Sequence, residues 1–261
     1  INDVRESTSG VFVGTGEDVW VLDLERQTKL QLTFGGTGRS PTWTAGGDSV
    51  AYIEFNPGNN FVAVRAADGS GAVRKLFEPP AGLVDVDISP SGTLAAYTLG
   101  ETAVGVTRLM IRNLRTGETV DLSGEGDANI RRPRFSPDSR YVAFERDSRI
   151  WIRAIDGNGV PVGAFQGRNA RWARDGTKIY GAASTNVFAR EISLRPTFSI
   201  TSRSRPPAYG IGPIDLFDVF EDGRTGIFNL TGLNDAAGTA TARGDTTVTV
   251  QVTVNWFETL E

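Results

Sequence analysis

ISPSGTLAAY, residues 88–97, decides the fold because the chain repeats it. Related stretches stand at 43–52 (WTAGGDSVAY), 135–144 (FSPDSRYVAF), 172–181 (WARDGTKIYG) and 219–228 (VFEDGRTGIF). Each opens on an apolar residue, passes through a polar tight turn centred on Gly or Ser, and enters an apolar β-run. The starts at 43, 88, 135, 172 and 219 are spaced by 45, 47, 37 and 47 residues. Self-similarity at a period of roughly 40–50 residues marks a propeller or a solenoid.

The residues around each copy choose between the two. DVWVLDLE (18–25), NFVAVRAADG (60–69), TRLMIRNLRTG (107–117), SRIWIRAIDG (148–157) and NVFAREISL (186–194) alternate apolar with polar side chains. Period two is the pattern of a half-buried strand. Turn residues such as Asp68-Gly69, Thr116-Gly117 and Asp156-Gly157 close these runs, and Asp-Gly is a preferred hairpin dipeptide. Shorter strands follow, as in KLQLTF (29–34), VRKLF (73–77) and TVDLS (119–123). One repeat therefore holds four short antiparallel strands with no helical stripe between them, which is a propeller blade.

The expected architecture is all-β: one domain over residues 1–261, built as a six-bladed β-propeller of four-stranded antiparallel blades. Approximate blade bounds are 1–39, 40–84, 85–130, 131–167, 168–213 and 214–261. The first blade lacks the opening phrase and the last ends on the strong β-run TTVTVQVTVNWF (246–257). An unclosed ring leaves bare sheet edges, so pairing of the N-terminal strand around Val11 with the C-terminal strand around Val248 is the expected closure.

Composition narrows the function classes. With 261 residues, 39% hydrophobic and 22% charged, the chain is an ordinary globular one. No run approaches the roughly 18 apolar residues that span a bilayer, and no signal-peptide pattern is present. The chain opens on Ile1, which reads as a mature or trimmed form of something longer. A net charge of −4 argues against wholesale nucleic-acid binding, which relies on a positive field. Cysteine and histidine are both absent. Their absence removes the usual zinc ligands, the Ser-His-Asp triad, the cysteine nucleophile and every disulfide. Asp68 and Asp156 open Gly-rich turns that lack the spaced carboxylates of a calcium loop. No metal and no cofactor is expected.

The phrase Ser-Pro-Asp/Ser-Gly/Ser followed by Ala-Tyr/Phe, at 89–97 and 136–144, resembles the repeat of TolB-like propellers, cousins of the WD-repeat proteins. The ending QVTVNWFETL (251–260) is similar to the close of bacterial propellers fused behind serine/threonine protein kinases. The resemblance covers nearly the whole chain. It implies an extracytoplasmic, bacterial, non-catalytic module that binds other proteins, and it carries over no catalytic residues. Asp-Gly is lost at Gly46-Gly47 and Asp138-Ser139, and Ser-Pro at Ala173-Arg174 and Phe220-Glu221. No kinase motif is present.

Function is sought in what does not repeat. Just before each phrase, polar positions on the innermost strand face the central channel. Alignment puts Asp87, Arg134, Arg171 and Asp218 at one level of the channel mouth. Two readings are open: a mouth that binds a charged ligand or a partner's tail, or a ring of salt bridges that satisfies itself. From residue 131 to 178, ten Arg and one Lys face five acids, and Arg131, Arg132 and Arg168 belong to this basic arc. Residues 195–213, with Arg203, Arg205 and Tyr209, form a long Pro- and Ser-rich excursion, and long irregular loops are functional or disordered. The expected function is a non-catalytic protein–protein interaction scaffold, an extrinsic subunit of a membrane-associated complex, periplasmic or otherwise extracytoplasmic. One alternative is a sensing propeller of a kinase-like receptor. Another is a hydrolase or lyase using carboxylates in the channel.

Overall fold

A computed structural model describes residues 3–5, 9–13, 18–23, 26, 28–56, 58–79, 82–101, 106–124, 129–183, 186–201, 216–219, 225–231 and 249–254, with side chains described between residues 18 and 201. Every regular element among them is a strand. The first sheet holds Asp3–Arg5 (β1), Ser9–Val13 (β2), Val19–Asp23 (β3) and Thr28–Gln31 (β4). The second holds Gly38–Trp43 (β5), Ser49–Glu54 (β6), Phe61–Ala66 (β7) and Arg74–Phe77 (β8). Leu83–Ile88 (β9), Leu94–Glu101 (β10), Val106–Asn113 (β11) and Thr119–Asp121 (β12) form the third. Ile130–Phe135 (β13), Tyr141–Arg146 (β14), Arg149–Ala154 (β15) and Val162–Gln166 (β16) form the fourth. Arg168–Trp172 (β17), Lys178–Ala183 (β18), Asn186–Ser193 (β19) and Ser199–Ile200 (β20) make the fifth. Leu216–Val219 (β21), Thr225–Thr231 (β22) and Thr249–Val254 (β23) make a three-stranded sixth. Each sheet is an antiparallel meander in chain order, as the alternating runs joined by short turns require.

The repeated phrase is the hairpin between the first two strands of a sheet. Its turn needs one residue in the left-handed region, filled by Gly47 (φ 63°), Gly92 (φ 70°), Ser139 (φ 58°) and Gly176 (φ 71°). The serine of Ser-Pro caps the same turn. Ser89 Oγ accepts the Leu94 N–H at 3.0 Å, and Ser136 Oγ accepts the Tyr141 N–H at 2.9 Å. The loss of Asp-Gly at Asp138-Ser139 thus leaves the turn conformation intact.

The core lies between sheets. Trp43 packs with Val19 and Leu32 of the first sheet, and Phe77 with Tyr97 of the third. Trp151 lies against the cluster shared by the third and fourth sheets, and Trp172 against that of the fourth and fifth. Trp43, Trp151 and Trp172 are therefore inter-sheet packing. Tyr52, Tyr97 and Phe144 hold one repeat position, where the fifth sheet has Gly181. A Cβ there would collide with the Phe165 ring and with Ile150, so the preceding sheet fills the space the missing aromatic leaves.

The first strands stand side by side: β9 lies between β5 and β13, β13 beside β17, and β21 beside both β17 and β1. Val248, named for the closing ladder between the chain ends, lies outside the described residues, and no such ladder is found among the described ones. Val11 pairs with Asp3 and Val21, and Val250 pairs with Leu230. The physical reason is local: residues 3–5 supply the first sheet with its own inner strand.

Candidate functional site

The inner strands β5, β9, β13 and β17 put Thr42, Asp87, Arg134 and Arg171 one residue before the strand end. Each inner strand is a sheet edge, so N–H groups on its free side need acceptors from elsewhere. Asp87 supplies them. Its Oδ1 accepts Thr42 Oγ1–H at 2.8 Å and its Oδ2 accepts the Phe135 N–H at 2.8 Å, from the sheets on either side. Arg134 adds an ion pair, with Nη1 3.8 Å from Asp87 Oδ1. Asp87 and Arg171 are buried. Arg134 and Arg171 each turn Nη1 back onto the preceding carbonyl, of Pro133 at 3.0 Å and of Ala170 at 2.9 Å. The Trp172 indole N–H donates to the Arg134 carbonyl at 3.0 Å.

A second level lies two residues earlier. The Val86 N–H donates to Ser40 Oγ at 3.3 Å, and the Arg132 N–H to Asp85 Oδ2 at 3.1 Å. The Asn169 N–H donates to Glu145 Oε1 at 2.6 Å, while Glu145 Oε2 holds Arg132 Nη1 at 2.8 Å. Arg131 Nε stands 3.6 Å from Asp85 Oδ2. Ser40, Arg132 and Asn169 share a left-handed backbone, with φ of 48°, 48° and 55°. Each sits at a register shift, between Arg39 and Thr42, Arg131 and Arg134, and Arg168 and Arg171. Such a bulge re-aims the backbone. At Arg132 and Asn169 the N–H meets a carboxylate on the preceding sheet.

Of the residues singled out from sequence, the structure brings Asp87 and Arg134 together and sets Arg131 and Arg132 on the second level. Arg171 occupies the next inner strand, and Arg168 is exposed where that strand begins. Asp218 is placed as a position of β21 only, with its side chain outside the described residues. Arg203, Arg205 and Tyr209 lie outside them altogether. The base of the 195–213 excursion is described: the Phe198 ring meets Tyr141 at 5.9 Å and Trp172 at 6.3 Å, and its N–H donates to Tyr141 Oη at 2.9 Å. Asp68 and Asp156 take N–H groups two residues on, from Ser70 at 2.8 Å and Asn158 at 2.9 Å. These bonds hold both carboxyls below the usual range, as expected for hairpin turns. Among the described residues no group of three or more acids could share a metal ion.

Four arginines were not anticipated from the sequence, where they look like the solvated face of a strand. Arg65, Arg112, Arg153 and Arg190 hold one position on the third strand of successive sheets and reach back to the previous sheet. Arg65 Nη1 donates to the Leu32 carbonyl, and Arg153 Nη1 to the Leu122 carbonyl at 2.8 Å. Arg112 and Arg190 instead cover the Phe77 and Phe165 rings, at 5.3 and 5.6 Å. The available signal was the recurrence of Arg after an apolar residue in four of the five runs.

No protein-family model matches the chain, and no curated protein sequence does. Solved structures do. TolB from Acinetobacter baumannii superposes with a TM-score of 0.60 at 17% identity, over 82% of this chain and 54% of that one. The fold is that of the TolB-like β-propellers. A chain assigned as TolB from Agrobacterium tumefaciens gives a TM-score of 0.56 at 15% identity, over 74% of this chain and 76% of that one. An oligogalacturonate lyase in complex with manganese gives 0.56 at 17% identity, over 80% and 64%. At these identities the likeness is one of fold. The chain spans about half the length of the first and less than two thirds of the lyase.

Proposed function

We propose that this propeller is a non-catalytic docking subunit, extracytoplasmic and bacterial, that holds other proteins in a larger membrane-associated assembly. The observation that carries the reading is the state of the acids described on and beside the inner strands. Asp85, Asp87 and Glu145 are each committed to backbone N–H groups, a hydroxyl or guanidinium groups of neighbouring sheets. Carboxylates so engaged hold inner strands together, whereas general acid–base work needs a carboxylate able to exchange its proton with substrate. The TolB-like fold, a module that binds proteins, supports the same reading, as does the sequence resemblance for location. The six sheets are read as six blades, closed by β21 lying between β17 and β1. No helix among the described residues is long and apolar enough to cross a membrane.

A lyase reading has one specific support, the oligogalacturonate lyase among the fold relatives. With no histidine or cysteine in the chain, a metal-assisted version would need oxygen donors alone. The kinase-linked sensor reading rests on the C-terminal resemblance. Tagged chain recovered from its source membrane tests the leading reading: the same partner should return at fixed stoichiometry after washing. Recovery alone, with turnover of an acidic oligosaccharide that Asp87→Asn abolishes, overturns it in favour of the lyase.

A further inference from the structure

At one edge of the fourth sheet β14 turns into β15, and Arg146 and Arg149 stand directly opposite each other. The same rung continues to Ile130 on β13 and to Gln166 on β16. Arg131 and Arg132 follow Ile130, and Arg168 opens β17 just beyond Gln166. Five arginines and no lysine therefore gather at one edge. Three acids share it, and each is in use. Glu145 is taken by Arg132 and the Asn169 N–H, Asp85 by Arg131 and the Arg132 N–H, and Asp147 lies 3.6 Å from Arg146 Nε. Among the described residues no ion pair joins Arg149 or Arg168 to an acid. Arg149 lies over the Trp151 ring at 6.0 Å, and Arg132, Arg149 and Arg168 are exposed.

Two features here run against stability. Like charges directly opposite on neighbouring strands repel. The hairpin turn also puts both Asp147 (φ 53°) and Ser148 (φ 57°) in the left-handed region, where Asn-Gly is the favoured pair. This turn is the one place among the described residues where two consecutive non-glycine residues are left-handed, and backbone strain so held is a pointer to function.

We propose that this edge is the docking surface for an acidic segment of a partner protein, which names the partner chemistry of the docking reading and rests on it. Arginine rather than lysine suits carboxylates, because the planar guanidinium meets them two bonds at a time. Four strands span about 15 Å, the length of roughly four to five extended residues, so a short run of Asp and Glu fits. A broad polyanion is disfavoured, because the chain as a whole carries −4 and would repel what overhangs the edge.

The test is fluorescence anisotropy of a labelled octaglutamate peptide, at low and at physiological salt. Arg149→Glu/Arg168→Glu should weaken binding by about tenfold or more, and salt should weaken binding to the parent. Arg74→Glu/Lys75→Glu on β8 should bind like the parent. Arg149→Lys/Arg168→Lys keeps the charge and loses the fork, and should bind a few-fold more weakly; it decides the matter if the reversal variant fails to fold. Equal binding by parent and edge variants overturns the proposal, as does tighter binding to anionic phospholipid vesicles than to the peptide. If the edge variant still recovers the partner from membranes, the edge assignment falls and the docking reading stands. If the parent recovers none, the docking reading itself falls.

Discussion

Ser139 holds the left-handed turn that glycine holds in the other described copies, at φ 58°. A side chain there costs about 1 kcal/mol, partly offset because Ser139 Oγ accepts the Ser91 N–H at 3.1 Å. Ser139→Gly should therefore stabilise the fold by roughly 0.5 kcal/mol, read from the midpoint of urea unfolding; a loss of stability would mean that the cross-sheet bond outweighs the strain. At the corresponding turn of the fifth sheet, Asp175 accepts the Thr177 N–H and hydroxyl, which hold its carboxyl below the usual range. A folded-state value below the unfolded one adds stability above the unfolded pKa, and that stability is lost as pH falls through the folded value. Asp175→Asn should be less stable than the parent at neutral pH, and the gap should close below about pH 4. Unfolding curves across acidic pH check the sign.

Strands and their junctions carry most of the structural logic. Asp87 holds two sheets at once, so Asp87→Ala strands the Phe135 N–H and the Thr42 hydroxyl beside Arg134 and should cost about 2–4 kcal/mol. A catalytic acid without structural duty would instead leave stability nearly unchanged, and denaturation of the purified variant separates the two. Arg153→Ala should cost about 1–2 kcal/mol by releasing the Leu122 carbonyl, measured the same way. Four strands in each of the first five sheets and the inner position of the strand before each phrase were legible, because period-two alternation and turn residues are local signals. The inter-sheet bonds were not. That Asp87 would meet Thr42 and Phe135, and Glu145 the N–H of Asn169, depends on bulges at Ser40, Arg132 and Asn169. No glycine marks these bulges. Arg65 and Arg153 were hidden for a related reason: an alternating strand gives the same pattern whether its polar face meets water or the neighbouring sheet.

At the scale of the molecule, Asp85, Asp87 and Glu145 are spent on holding neighbouring sheets together, which moves the search for function to the non-repeating arginine edge and the excursion that begins beside Phe198. At the channel mouth, read from sequence as either a ligand site or a self-satisfied ring, Asp87 and Arg134 meet at 3.8 Å, while the Asp218 side chain lies outside the described residues. Sequence could align those positions but not choose between the readings, since the choice depends on distances across sheets. The central claim is that this propeller works by holding partners. Native mass spectrometry of gently solubilised source membrane tests it most directly. A complex containing this chain at a fixed copy number is the predicted result; the chain flying only as a lone 28.1 kDa monomer would contradict the account.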